Sequence, residues 1–120
     1  FTVIDKGPFS LDPNDDYPDF VVSVVEEVLK NPNDSLGIVL GGSGQGEAMC
    51  ANRFKHIRAA VYYGGAEDII RLSKEHNNAN ILSLGARFLS NDEAKHAVKV
   101  WLEAKFTGEE RHQRRIEKLG

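Results

Sequence analysis

Apolar positions recur at helical spacing early in the chain: Phe20, Val21, Val24, Val25 and Val28 share one face, with Glu26, Glu27 and Lys30 outside it. Pro18 suits the first turn of that helix, and Asn31-Pro32-Asn33-Asp34 predicts its end. The period then changes. LGIVLGG (36–42) is a continuous apolar run too short for a helix, which predicts a strand covered on both faces. A helix is expected from about Gln45 to Phe54, a strand at IRAAVYY (57–63), a helix from Ala66 to Glu75, and a strand at ANILSLG (79–85). Ser90 and Glu93 form a capping-box pattern for a helix carrying Ala94, Ala97, Val98 and Trp101. A charged helix closes the pattern from about Glu109 to Leu119. Before the first helix, TVID (2–5) reads as a strand and Gly7 to Asp16 as a loop.

Strands alternating with helices through short connections predict an α/β domain, a parallel sheet with helices on both faces. Ligands of such sheets bind beyond the carboxyl ends of the strands. Ser43 to Glu47, Gly64 and Gly65, and Arg87 fall at those ends. At 120 residues the chain is expected to form one domain. No apolar run approaches a membrane span. The single Cys50 cannot form an internal disulfide, which favours a reducing cytoplasm. A net charge of -3 argues against general nucleic-acid binding. Arg111, Arg114, Arg115 and Lys118 nevertheless cluster at the end, and could serve an anion or form a solvated face.

The segment richest in chemical possibility is GIVLGGSGQGEAMCANR (37–53). Its glycines invite a nucleotide reading, but Glu47 stands where a phosphate loop needs lysine and where a dinucleotide loop needs its third glycine. What remains is a loop of backbone N–H groups beside a carboxylate, suited to holding an oxyanion while Glu47 takes a proton next to a carbonyl. A structural turn, with Glu47 merely complementing a helix start, is the alternative. His76-Asn77-Asn78 reads first as a helix C-cap, and Asp16-Tyr17-Pro18-Asp19 as a helix start. Arg111 and Arg115, four apart, can point the same way and clamp a phosphate, or simply face water. Cys50 reads as a small packed residue, and His56, His96 and His112 lack metal-ligand spacing, so no metal is expected.

Taken in order, DYPDF, GIVLGGSGQGEAMCANR, IRAAV, EHNNANILSLGAR and ERHQRRIEKL resemble the type B ribose-5-phosphate isomerases, a family that includes galactose-6-phosphate isomerase subunits. The resemblance implies a Rossmann-like αβα sandwich and a homodimer, or dimer of dimers, with active sites shared between subunits. It also implies metal- and cofactor-free interconversion of an aldose phosphate and its ketose through an enediolate. By the same resemblance, Tyr17 lines the sugar site, and the backbone of Ser43, Gly44 and Gly46, with Gly42 beside them, holds the enediolate oxygens. Many members carry a catalytic cysteine where this chain has Gly41; a second branch uses the glutamate that matches Glu47 as base. His76 matches the residue that helps open the furanose ring, Asn77 binds sugar hydroxyls, and Arg87, Arg111 and Arg115 match phosphate ligands. The family's first strand, ending in an Asp-His pair, and the following helix have no counterpart here, so the chain is expected to be an N-terminally truncated form. The alternatives are an isomerase of another five- or six-carbon sugar phosphate, or a non-catalytic sugar-phosphate-binding paralogue.

Overall fold

A computed structural model describes all 120 residues. Five helices and three of the four expected strands are present: α1 (Tyr17–Lys30), β1 (Gly37–Gly41), α2 (Gln45–Ala51), β2 (Ala59–Tyr62), α3 (Asp68–Glu75), β3 (Ile81–Gly85), α4 (Asn91–Glu103) and α5 (Glu110–Leu119). The strands form one parallel sheet in the order β1-β3-β2, with Gly37 opposite Ile81 and Ala59 opposite the same residue from the other side. The last strand in sequence is therefore central.

β3 shows how the layers are built. Its five residues are all buried, because both faces are covered. Ile81 enters one core with Val21, Val25 and Val28 of α1, Val39 of β1, Ala51 of α2, and Ile57. Leu82 and Leu84, pointing the other way, enter a second core with Ile70 of α3, Ala79, and Ala97 and Trp101 of α4. The result is the expected αβα sandwich. The capping box at Ser90 is present, with its hydroxyl accepting from the Glu93 amide and the Glu93 carboxylate accepting from the Ser90 amide.

Two expectations fail. TVID is not a strand: residues 1–16 carry no ladder, and Phe1, Val3 and Ile4 are exposed. A strand is a property of pairing, and these residues pair with nothing. Nor is β1 covered on both faces along its length. α3 and α4 pack over β2 and β3 and stop short of β1, so Leu40 is left 62% exposed. Elsewhere the differences are at element ends, with α2 stopping at Ala51 rather than Phe54 and β2 starting at Ala59 rather than Ile57.

Ile81 should be the costliest apolar residue of the sheet to truncate, since it is fully buried in the only strand with neighbours on both sides. Urea denaturation of Ile81→Ala should show a loss of about 2 to 5 kcal/mol; a loss well below 1 kcal/mol would contradict this account of the core.

Candidate active site

The loop from Gly41 to Glu47 leaves the carboxyl end of β1 and enters α2. Gly44 precedes the helix at φ 77°, a left-handed conformation that favours glycine. Its carbonyl accepts a 2.7 Å hydrogen bond from Ser83 Oγ, on the fully buried face of β3, and a longer one from the Ala48 amide. The loop is thereby tied to the central strand. Period-two alternation places Ser83 on the α2 side of β3, and it is the only polar residue of ILSLG. Sequence reasoning passed over it, although that isolated hydroxyl was a legible signal.

Around this loop the glycines are filled by other residues' side chains. A Cβ on Gly41 would overlap with the Glu47 carboxylate, and one on Gly46 with the Tyr17 hydroxyl. A Cβ on Gly42 would lie 3.1 Å from Arg87 Nε. Each glycine thus marks a close approach, and together they gather Tyr17 from the start of α1, Glu47 from the first turn of α2, and Arg87 from the turn after β3. The Arg87 amide also donates to the Gly42 carbonyl at 3.1 Å. Glu47 is buried and belongs to no ion pair; Arg87 is exposed and likewise unpaired.

The amides of Gly42, Ser43, Gly44, Gly46 and Glu47 donate to no backbone carbonyl, and only the Gln45 amide is occupied locally, by Ser43 Oγ at 3.3 Å. A carboxylate, a set of free N–H donors, a phenol and a guanidinium therefore converge at the carboxyl end of the sheet. This arrangement can remove a proton beside a carbonyl and hold the oxygen that gains charge. Tyr63 and Phe88, edge to face at 6.0 Å between ring centroids, border the same end of β2 and β3 and were not expected from the sequence.

The remaining candidates lie elsewhere. His76 caps α3, and Asn77 and Asn78 (φ 47°) lead into the amino end of β3. β3 alone separates that end from the Gly44 loop by about 13 Å, four steps of about 3.3 Å. α5 lies at the same end: His112 is buried and stacks on His76 with 4.2 Å between ring centroids and 15° between planes. Arg111 and Arg115 flank it, exposed, Arg111 with a 3.3 Å contact to Glu109 and Arg115 without an ion pair. Burial first, then the neighbouring His76 ring and the guanidinium groups of Arg111 and Arg115, hold the His112 imidazole below its usual pKa, against the opposing Glu109. One chain therefore does not bring His76, Asn77, Arg111 or Arg115 to Glu47.

Two further cations at this level owe their lowered pKa to burial. Arg58 donates to the carbonyls of Asn78 and His56, and the Lys74 ammonium sits 4.6 Å over the Trp101 ring. A groove of about 550 Å³ runs between the end of α2, the start of β2 and the last residues of α5, lined by Arg53, Lys55, Arg58 and Asn77 among others. It is open and distant from Glu47, and the convergence of chemical groups is the better guide to the site. No group of three or more His, Cys, Asp or Glu side chains is placed to hold a metal ion.

Comparison with known proteins fits this picture. The family described as Ribose/Galactose Isomerase matches residues 1–119. The chain belongs to the ribose/galactose isomerase family. It is 44% identical to the probable ribose-5-phosphate isomerase B of Mycoplasma genitalium over 99% of its own length and 76% of that protein's. The ribose-5-phosphate isomerase B of Mycolicibacterium paratuberculosis is 40% identical, over 97% of this chain and 71% of the relative. Among solved structures of the family, the Mycoplasma genitalium enzyme with bound ribulose-5-phosphate superposes with a TM-score of 0.92 over 99% of this chain and 76% of that one, at 44% identity. The Clostridium thermocellum ribose-5-phosphate isomerase B gives a TM-score of 0.90 at 42% identity, over all of this chain and 78% of that one.

If the carboxylate owes its place to a missing side chain, Gly41→Ala must expel it. A crystal structure of that variant should show the Glu47 carboxylate turned away from position 41, at a stability cost of about 1 to 3 kcal/mol. An unmoved carboxylate in the variant would contradict the packing described here.

Proposed function

We propose that the chain is an aldose-ketose isomerase that interconverts ribose 5-phosphate and ribulose 5-phosphate through an enediolate, in the cytoplasm, with Glu47 as the base. The observation that carries the proposal is the buried, unpaired Glu47 carboxylate seated over Gly41 beside a row of free amides. Family membership supplies the substrate class; this geometry supplies the chemistry.

The open-chain sugar lies across the carboxyl ends of β1 and β3. Glu47 takes the proton from C2 of the aldose and returns it to C1, so a single carboxylate serves as base and then as acid. The negative oxygen that develops between these steps is met by the amides of Ser43, Gly44 and Gly46, with Gly42 alongside. Positioned proton transfer contributes roughly 100- to 10,000-fold, and one oxyanion donor about 3 kcal/mol. Both elements are needed, and the loop sets them side by side. Tyr17 borders the sugar and Arg87 takes the phosphate or the oxygens next to it.

The other family-matched residues enter from a second copy. His76 and Asn77 sit at the amino end of the sheet with Arg111 and Arg115, too far from Glu47 of the same chain. A homodimer that sets the amino end of one sheet against the carboxyl end of the other completes the site twice, as two-fold symmetry requires. In that arrangement His76 aids ring opening, Asn77 binds sugar hydroxyls, and the two arginines complete the phosphate clamp.

Glu47→Gln keeps the shape and removes the base. Its kcat for ribulose formation should fall by about 100-fold or more while KM changes little. Turnover within about threefold of the unsubstituted enzyme would remove Glu47 from the role.

A further inference from the structure

The chemistry proposed for the site does not use His112, yet it is the one buried residue of α5. It is buried among the otherwise exposed residues that begin that helix. Its Nε2 is shut off from solvent and makes no hydrogen bond, with the Glu109 carboxylate just outside bonding range at 3.5 Å. Its ring lies on the face of His76, stacked nearly parallel. A residue meant only to fasten α5 to the domain would serve better as leucine, without burying an unpartnered polar nitrogen. A flat ring on a flat ring does something else: it removes the rotational freedom of the His76 imidazole while leaving its nitrogens at the ring edge. His76 is half-buried, and Asn77 beside it is exposed.

We infer that His112 is a positioning residue for ring opening, holding the His76 ring in the plane from which it reaches the furanose of a sugar bound in the second copy's site. This rests on the isomerase reading above. In the ring-opening step the C1–O4 bond breaks with its electron pair going to O4, which takes a proton from the His76 imidazole. The O1 hydroxyl loses its proton to solvent as C1=O1 forms, and the imidazole is reprotonated from solvent. The step is intolerant of a misaligned donor, because proton transfer needs heavy atoms within about 3 Å. Loss of the stack removes no atom of Glu47 or its amides, which the other copy supplies to the shared site, so the two stages of the reaction separate.

That separation gives the test. Ribulose 5-phosphate has no furanose to open, so exchange of its C1 proton with D2O reports on the enediolate step alone. In the assembled enzyme, His112→Ala should lower kcat/KM for ribose 5-phosphate by about 10- to 100-fold. Exchange from ribulose 5-phosphate should fall by no more than about twofold. His112→Phe, which keeps a flat ring on His76, should recover most of the loss and guards against a result caused by misfolding. Equal losses in both assays would make His112 a docking residue for α5 and overturn the inference, as would unchanged ribose turnover in His112→Ala or failure of the phenylalanine to rescue. Absence of exchange in the unsubstituted enzyme would instead strike at the isomerase reading itself.

Discussion

Everything at the carboxyl end of this sheet depends on one steric fact: the carboxylate of Glu47 occupies the space that a side chain at position 41 would need. The carboxylate is held by exclusion as much as by attraction, since it has no ion-pair partner and lies buried over bare backbone. That arrangement suits proton transfer. A carboxylate already committed to a lysine or arginine would be a poorer base, and one free in water would be poorly aimed. The neighbouring glycines repeat the device, admitting the Tyr17 hydroxyl at Gly46 and the Arg87 guanidinium at Gly42.

Holding a glycine-rich loop still requires a fixed point, which β3 supplies. As the central strand it is buried on both faces and paired on both edges, and its Ser83 hydroxyl reaches across to the Gly44 carbonyl. The two cores on either side of it therefore serve the site directly. They immobilise the strand, the strand immobilises the loop, and the loop presents its free amides. The amino end of the same sheet carries a different chemistry, built on the stacked His76 and His112 and the exposed arginines of α5. The groups proposed to act together therefore lie at opposite ends of one domain.

Much of this was legible in the residues. The run from Gly37 to Gly41 is continuously apolar and the buried ILSLG strand is apolar but for Ser83, and such stretches leave few alternatives in a chain where they alternate with amphipathic helices. The capping box at Ser90 was readable because it is local. TVID misled because β-branched residues specify a strand only where another strand is available to pair with them. Leu40 misled because the reach of α3 and α4 across the sheet is a tertiary property. At the site, the loop and Glu47 could be found from glycine spacing. Ser83 and His112 could not be assigned that way, since each matters through a residue more than thirty positions distant.

The central claim is that Glu47 of one copy works with His76 of another. Subunit complementation addresses it most directly. Glu47→Gln and His76→Asn enzymes, each severely impaired alone, are mixed under conditions that allow subunits to exchange, and ribose 5-phosphate turnover is measured. If the site is shared, random pairing makes half the dimers mixed and each mixed dimer carries one intact site, so activity should rise to about a quarter of that of the unsubstituted enzyme. A mixture no more active than the mean of its two parents, with exchange verified, would contradict the account.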